Sequence, residues 1–193
     1  YWSRHTGLKY TAFAPWRPFE GGQYGIAILS RHPILEVKTH GYVKPTKTGG
    51  FNPREAQNCA LQQPMDFCQG ILAIRVAPTM FPNGIWIINT HISADGAQAE
   101  EARQLVEWVT KLLQTSGIKH AMIAGDFNEP PTGQGPSYIK QFWHDTFVQC
   151  YYNPHNMHGY TFPSASPERR IDYIWTTSPE LAKCESSWTR NTQ

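Results

Sequence analysis

The 193-residue chain is 40% hydrophobic and 13% aromatic, with 17% charged residues and a formal net charge of +2. That is enough for one well-cored domain and too little for two ordinary ones, and seven Trp, nine Tyr and nine Phe exclude a disordered chain. No run of Lys and Arg exceeds Arg169-Arg170, so the charge gives no push towards tight electrostatic binding of nucleic acid; no apolar stretch approaches a membrane span, and nothing of the secretory-leader type is read at the start.

In chain order, residues 9–13 alternate weakly and read as a strand. Gly21-Gly22 break the pattern, and Tyr24-Gly-Ile-Ala-Ile-Leu-Ser30 reads as a buried strand. Residues 34–39 alternate as the next strand, and 44–52 form a loop of Lys, Thr, Gly and Pro. Residues 54–62 and 70–76 look like a hairpin pair, and 85–91 a further strand. Residues 97–114 carry an apolar stripe through Ala102, Leu105, Val106, Val109, Leu112 and Leu113, the mark of an amphipathic helix. Ser93 or Asp95 can cap it, and Gly117 ends it. Ala121–Asp126 is a short apolar strand that runs into a proline-bounded loop. Residues 132–143 hold a short helix, 153–167 a polar loop, and 170–175 a last strand. Strands before and after one long helix predict an α+β architecture, an α/β sandwich of two packed mixed sheets flanked by helices. Ile26, Ile28, Leu72, Ile74, Ile87, Met122, Ile123 and Ile174 are its expected core.

Cys59, Cys68, Cys150 and Cys184 show no metal-ligand spacing. Cys59 and Cys68 flank a turn and could face each other across paired strands, but buried thiols are the preferred expectation over a disulfide.

The chemistry gathers at strand ends. Asp126 and Asn128 lie two apart and point the same way along an extended backbone. A carboxylate there can take a proton or hold a metal, and a carboxamide can donate to a phosphate oxygen or ligate through its carbonyl. The same residues also suit a strand-capping Asp-x-Asn turn. His91 closes its strand after an apolar run. Asp172 sits between Ile171 and Tyr173, where a buried carboxylate must find a partner. Glu55 lies between Arg54 and Ala56; its ordinary reading is an exposed ion pair of little worth.

Taken together, Tyr24-Gly-Ile-Ala-Ile-Leu-Ser-Arg31, an acidic residue, Thr90-His91, Gly125-Asp-Phe-Asn128 and Arg170-Ile-Asp-Tyr-Ile174 resemble the endonuclease/exonuclease/phosphatase superfamily, the deoxyribonuclease I-like fold, from about Gln23 to Trp175. The resemblance implies a magnesium- or manganese-dependent phosphoric ester hydrolase acting on nucleic acid, a lipid headgroup or a sugar phosphate through an activated water. Asp126 would orient or deprotonate that water or bind metal, and Asn128 would hold the phosphate and share the metal. His91 would contact the phosphate or leaving oxygen, oriented by Glu55; Asp172 would buttress a second histidine; Tyr160, in Gly159-Tyr-Thr-Phe-Pro163, would touch substrate. The pattern also departs from the family. No Gln-Glu pair, the source of its principal metal glutamate, precedes Tyr24, and no histidine follows His158. Full domains of this kind run to about 250 residues. The expectation is therefore one such domain over 1–193, incomplete at both ends, with a catalytically inactive structural or binding subunit as the alternative.

Overall fold

A computed structural model describes residues 5–43, 69–94, 96–150 and 159–182. Among the described residues eight strands are seen: β1 (Tyr10–Phe19), β2 (Gly22–Ser30), β3 (Glu36–Gly41), β4 (Gly70–Val76), β5 (Ile85–His91), β6 (Ala121–Asp126), β7 (His144–Asp145) and β8 (Asp172–Thr176). Helices α1 (Gln98–Ser116), α2 (Gln134–Ile139) and α3 (Thr146–Cys150) complete the set, with a 3-10 turn at Pro179–Leu181. Strands β1 and β2 form an antiparallel two-stranded sheet. The other six form a second, mixed sheet in the order β3-β4-β5-β6-β8-β7.

Strand alternation gives the large sheet two apolar faces. One presents Ile71, Ala73, Trp86, Ile88, Ile123, Tyr173 and Trp175 to Leu105, Val109 and Leu112 of α1 and to Ile139 of α2. The other presents Leu72, Ile74, Ile85, Ile87 and Met122 to Ala12, Ala14, Ile26 and Ile28 of the small sheet. The layers therefore run small sheet, large sheet, helices. Each fully buried Leu or Ile contributes about 1.5–3 kcal/mol, so the helical face of the centre strands and the stripe of α1 carry most of the hydrophobic stabilisation.

Several expectations hold, and some do not. The α1 stripe, β5 and β6 lie where periodicity put them. No side chain caps α1; its N-cap is Ala97, and Gly117 ends it in the left-handed conformation. Ser93 instead donates both its backbone N–H and its hydroxyl to Glu101, 2.7 Å each. Asp95 lies outside the described residues. Strand β4 pairs with β3 on one side and β5 on the other; residues 54–62, expected as its hairpin partner, lie outside the described residues. Ile174 is exposed, not core: it shares a face with Asp172, and the small sheet covers that face over β4 and β5. Cys150 is disulfide-bonded; Cys59 and Cys68 lie outside the described residues. No described helix is long and apolar enough to cross a membrane.

Candidate functional site

Parallel pairing of β5 with β6 opposes His91 to Asp126, and antiparallel pairing of β6 with β8 opposes Asp126 to Asp172. Three neighbouring strands thus deliver an imidazole and two carboxylates side by side at one edge. The approach of β5 and β6 is close at Gly125, where an added Cβ would stand 2.0 Å from the Thr90 carbonyl oxygen. Any side chain at 125 would push Asp126 away from His91.

Beyond Asp126 the chain is pinned by Phe127, which is fully buried edge-on to Tyr173 and Trp175. Its N–H donates to the Ile171 carbonyl at 2.8 Å, and the Asp126 carbonyl accepts from the Ile92 N–H at 2.9 Å. With Phe127 anchored inward, its neighbours face the opposite way. Asn128 takes a left-handed backbone, φ 51°, a conformation asparagine tolerates better than most residues. Its backbone N–H donates to Asp126 Oδ1 at 2.8 Å. Its carboxamide donates to the Ile92 carbonyl at 2.8 Å and lies 3.1 Å from His91 Nε2. Asp126 Oδ2 stands 3.7 Å from the same ring nitrogen. His91, Asp126 and Asn128 are one cluster.

Burial raises the Asp126 carboxyl above its ordinary value; the Asp172 carboxylate adds to this, while the Asn128 N–H and His91 oppose it. A carboxylate held this way grips a proton more firmly than one in water, as a general base requires.

Asp172 differs from its expectation. It is exposed, because alternation buries Tyr173 and Trp175 and turns Asp172 to the other face. No burial cost compels it to find a partner. The Tyr160 loop reaches it through Thr161, whose hydroxyl accepts from the N–H groups of Ile171 and Asp172, 3.2 Å each. Tyr160 is exposed. Glu55 lies outside the described residues. Among the described residues, the carboxylate within 4.0 Å of the His91 ring is that of Asp126, and no three His, Cys, Asp or Glu side chains are grouped to hold a metal ion. Asp126 offers hard oxygen donors of the right chemistry for magnesium or manganese, but the described residues alone do not complete a cage.

Sequence reading missed Trp16. Its ring centroid is 6.0 Å from that of His91 and 6.0 Å from that of Tyr24. No local pattern marks it; its place depends on a register shift between two strands.

A family model described as Endonuclease/Exonuclease/phosphatase family matches residues 1–193. No curated protein matches the chain. Among solved structures, the human Nocturnin catalytic domain with bound sulfate superimposes with a TM-score of 0.60 at 16% identity, covering 87% of this chain and 60% of that one. The Bacteroides thetaiotaomicron mannosyl-6-phosphatase Bt3783 gives 0.58 at 19% identity, covering 86% and 62%. Humanized D. rerio TDP2 gives 0.55 at 13% identity, covering 95% and 67%. The chain thus spans about 60% of the length of the first two; at these identities the likeness is one of fold.

Proposed function

Because the chain belongs to the endonuclease/exonuclease/phosphatase family, we propose that its His91–Asp126–Asn128 cluster hydrolyses a phosphate ester, most fittingly a phosphodiester. The observation that carries this is the convergence of a base, an amide donor and an imidazole on one point: Asn128 Nδ2 at 3.1 Å and Asp126 Oδ2 at 3.7 Å from His91 Nε2. In this reading Asp126 Oδ1 is committed to the Asn128 N–H, and Oδ2 takes a proton from water. The resulting hydroxide attacks phosphorus, and the P–O bond to the leaving group breaks. On substrate binding, the Asn128 N–H that points at His91 Nε2 and a protonated His91 would turn to the negative charge that develops on the phosphoryl and leaving oxygens. Glu55 is proposed to orient His91, Asp172 to buttress a second histidine, and Tyr160 to touch substrate. Asp126 and Asn128 would supply oxygen ligands to magnesium or manganese, which when bound neutralises phosphate charge. The substrate is nucleic acid, a lipid headgroup or a sugar phosphate.

The test is hydrolysis of bis-p-nitrophenyl phosphate with magnesium or manganese. The full-length protein is expected to be active and residues 1–193 alone to have little or no activity; chelator is expected to abolish the rate, and Asp126→Asn should lower it at least about a hundredfold, the scale of one lost general base. A full-length protein inactive across nucleic-acid, lipid and sugar-phosphate substrates with metal present would overturn the hydrolase reading in favour of a structural or binding subunit.

A further inference from the structure

The small sheet carries an irregularity beside the His91 cluster. Pro15 opposes Gly25, but Arg17 opposes Tyr24, so Trp16 is an extra residue with no opposite number on β2. Such bulges bend a strand and re-aim a side chain, and they gather next to active sites. Here the Trp16 ring lies against the His91 ring at a 50° tilt. The bulge is held in place from both directions. Gly25 meets β1 so closely that an added Cβ would stand 2.0 Å from the Ala14 carbonyl oxygen. Asn89, two residues before His91, donates to the Ala27 carbonyl at 3.1 Å, tying β2 to the strand that carries the histidine.

Trp16 does not stand alone. Tyr24 lies 6.0 Å from it, and Phe19 lies 6.4 Å from Tyr24. Phe19, Tyr24, Trp16 and His91 form a row of rings that runs from the β1–β2 turn to the proposed phosphate position. Phe19 and Tyr24 are 48% and 37% exposed. A row of half-open aromatic faces ending at an imidazole is poor packing and a good stacking surface.

We propose that Trp16, backed by Tyr24, is the specificity-determining residue of this site, and that it takes a flat aromatic group carried on the phosphate. The group is a nucleobase or an aryl ring, stacked beside His91. The proposal rests on the reading of the His91–Asp126–Asn128 cluster as the phosphate position. It predicts discrimination against phosphate esters with no flat apolar portion.

The test is binding, followed by the NMR shifts of the His91 ring, in the parent 193-residue chain, Trp16→Ala and Trp16→Phe. The probes are phenyl phosphate, a pyrimidine nucleoside monophosphate and methyl phosphate. Trp16→Ala is expected to weaken phenyl phosphate about tenfold, the effect of losing one stacking partner, and to leave methyl phosphate unchanged. Trp16→Phe should recover most of the loss. A nucleotide that follows phenyl phosphate identifies the base as the stacked group; one that follows methyl phosphate assigns the surface to aryl esters. Equal weakening of methyl and phenyl phosphate, or no weakening of either, overturns the proposal. Should Trp16→Ala not fold, Tyr24→Ser serves with the same contrast and the same overturning result. Hydrolysis of bis-p-nitrophenyl phosphate by the full-length protein separates the two readings: turnover with no dependence on Trp16 sinks this proposal alone, whereas Trp16-dependent binding without any turnover of the diester sinks the hydrolase reading alone.

Discussion

At residue scale, Asp126 shows function and stability opposed. Its carboxyl is raised by burial, so the folded protein binds that proton more tightly than the unfolded chain does. The stability this group contributes is present in acid and is lost as pH rises through the carboxylate range to the folded-state value. An asparagine cannot ionise and still offers an oxygen to the Asn128 N–H. Asp126→Asn should therefore be inactive yet melt higher than the parent near neutral pH, with the advantage shrinking to nothing towards about pH 3. Thermal melts across that range decide it; a variant that is less stable at neutral pH and equal in acid would contradict the burial argument. Asn128 poses a different question, since its side chain and its backbone are both unusual. Asn128→Gly removes the carboxamide and relaxes φ, while Asn128→Ala removes the carboxamide and keeps the strain. Both should lose turnover, but alanine should cost about 1–2 kcal/mol more stability than glycine, the penalty of a left-handed residue with a Cβ. Equal unfolding free energies would show that the backbone there relaxes.

At the scale of elements, α3 and β7 are tied to the residues before β8 by a buried ion pair. Arg170 donates to both Asp145 oxygens, at 3.1 and 2.7 Å, with its guanidinium over the Phe147 and Tyr173 rings. Removing one partner strands a buried charge, so Arg170→Met should cost about 3–5 kcal/mol in denaturant unfolding, and Arg170→Met with Asp145→Leu should recover much of it. A double variant as weak as the single would show that the ring stacking, not the charge, holds this corner. Neither this pair nor the Ser93–Glu101 clamp was legible in the sequence, because both join residues with no shared local period. What was legible had a period: the α1 stripe, the apolar runs of β5 and β6, and the Asp-Phe-Asn alternation that turns Phe127 inward and its neighbours to the site. Ile174 misled for the converse reason. Its alternation is that of a strand with two covered faces, but whether a face is covered is decided by another layer. Trp16 was out of reach because a bulge belongs to a pair of strands and not to either one.

At the scale of the molecule, the large sheet is covered unevenly. Strands β4, β5 and β6 are interior, each paired on both sides, and β4 and β5 lie between the helices and the small sheet. Backbone amides there should exchange with deuterium at the rate set by global unfolding, and those of the β1–β2 sheet, with one pairing each, sooner. Hydrogen exchange that ranks β1–β2 with β5 would mean that the small sheet opens only with the whole. The parallel β5–β6 pair has a consequence for the order of assembly. His91 and Asn128 are 37 residues apart, with α1 between them, and no hairpin can bring them together; the crossover must close first, and closing long loops is the slow part of folding. During refolding, helical signal should therefore recover before any signal from the His91 ring. A chain with α1 formed and both the β1–β2 and β4–β5 hairpins in place, but β5 and β6 still apart, would hold every residue of the cluster and no cluster at all.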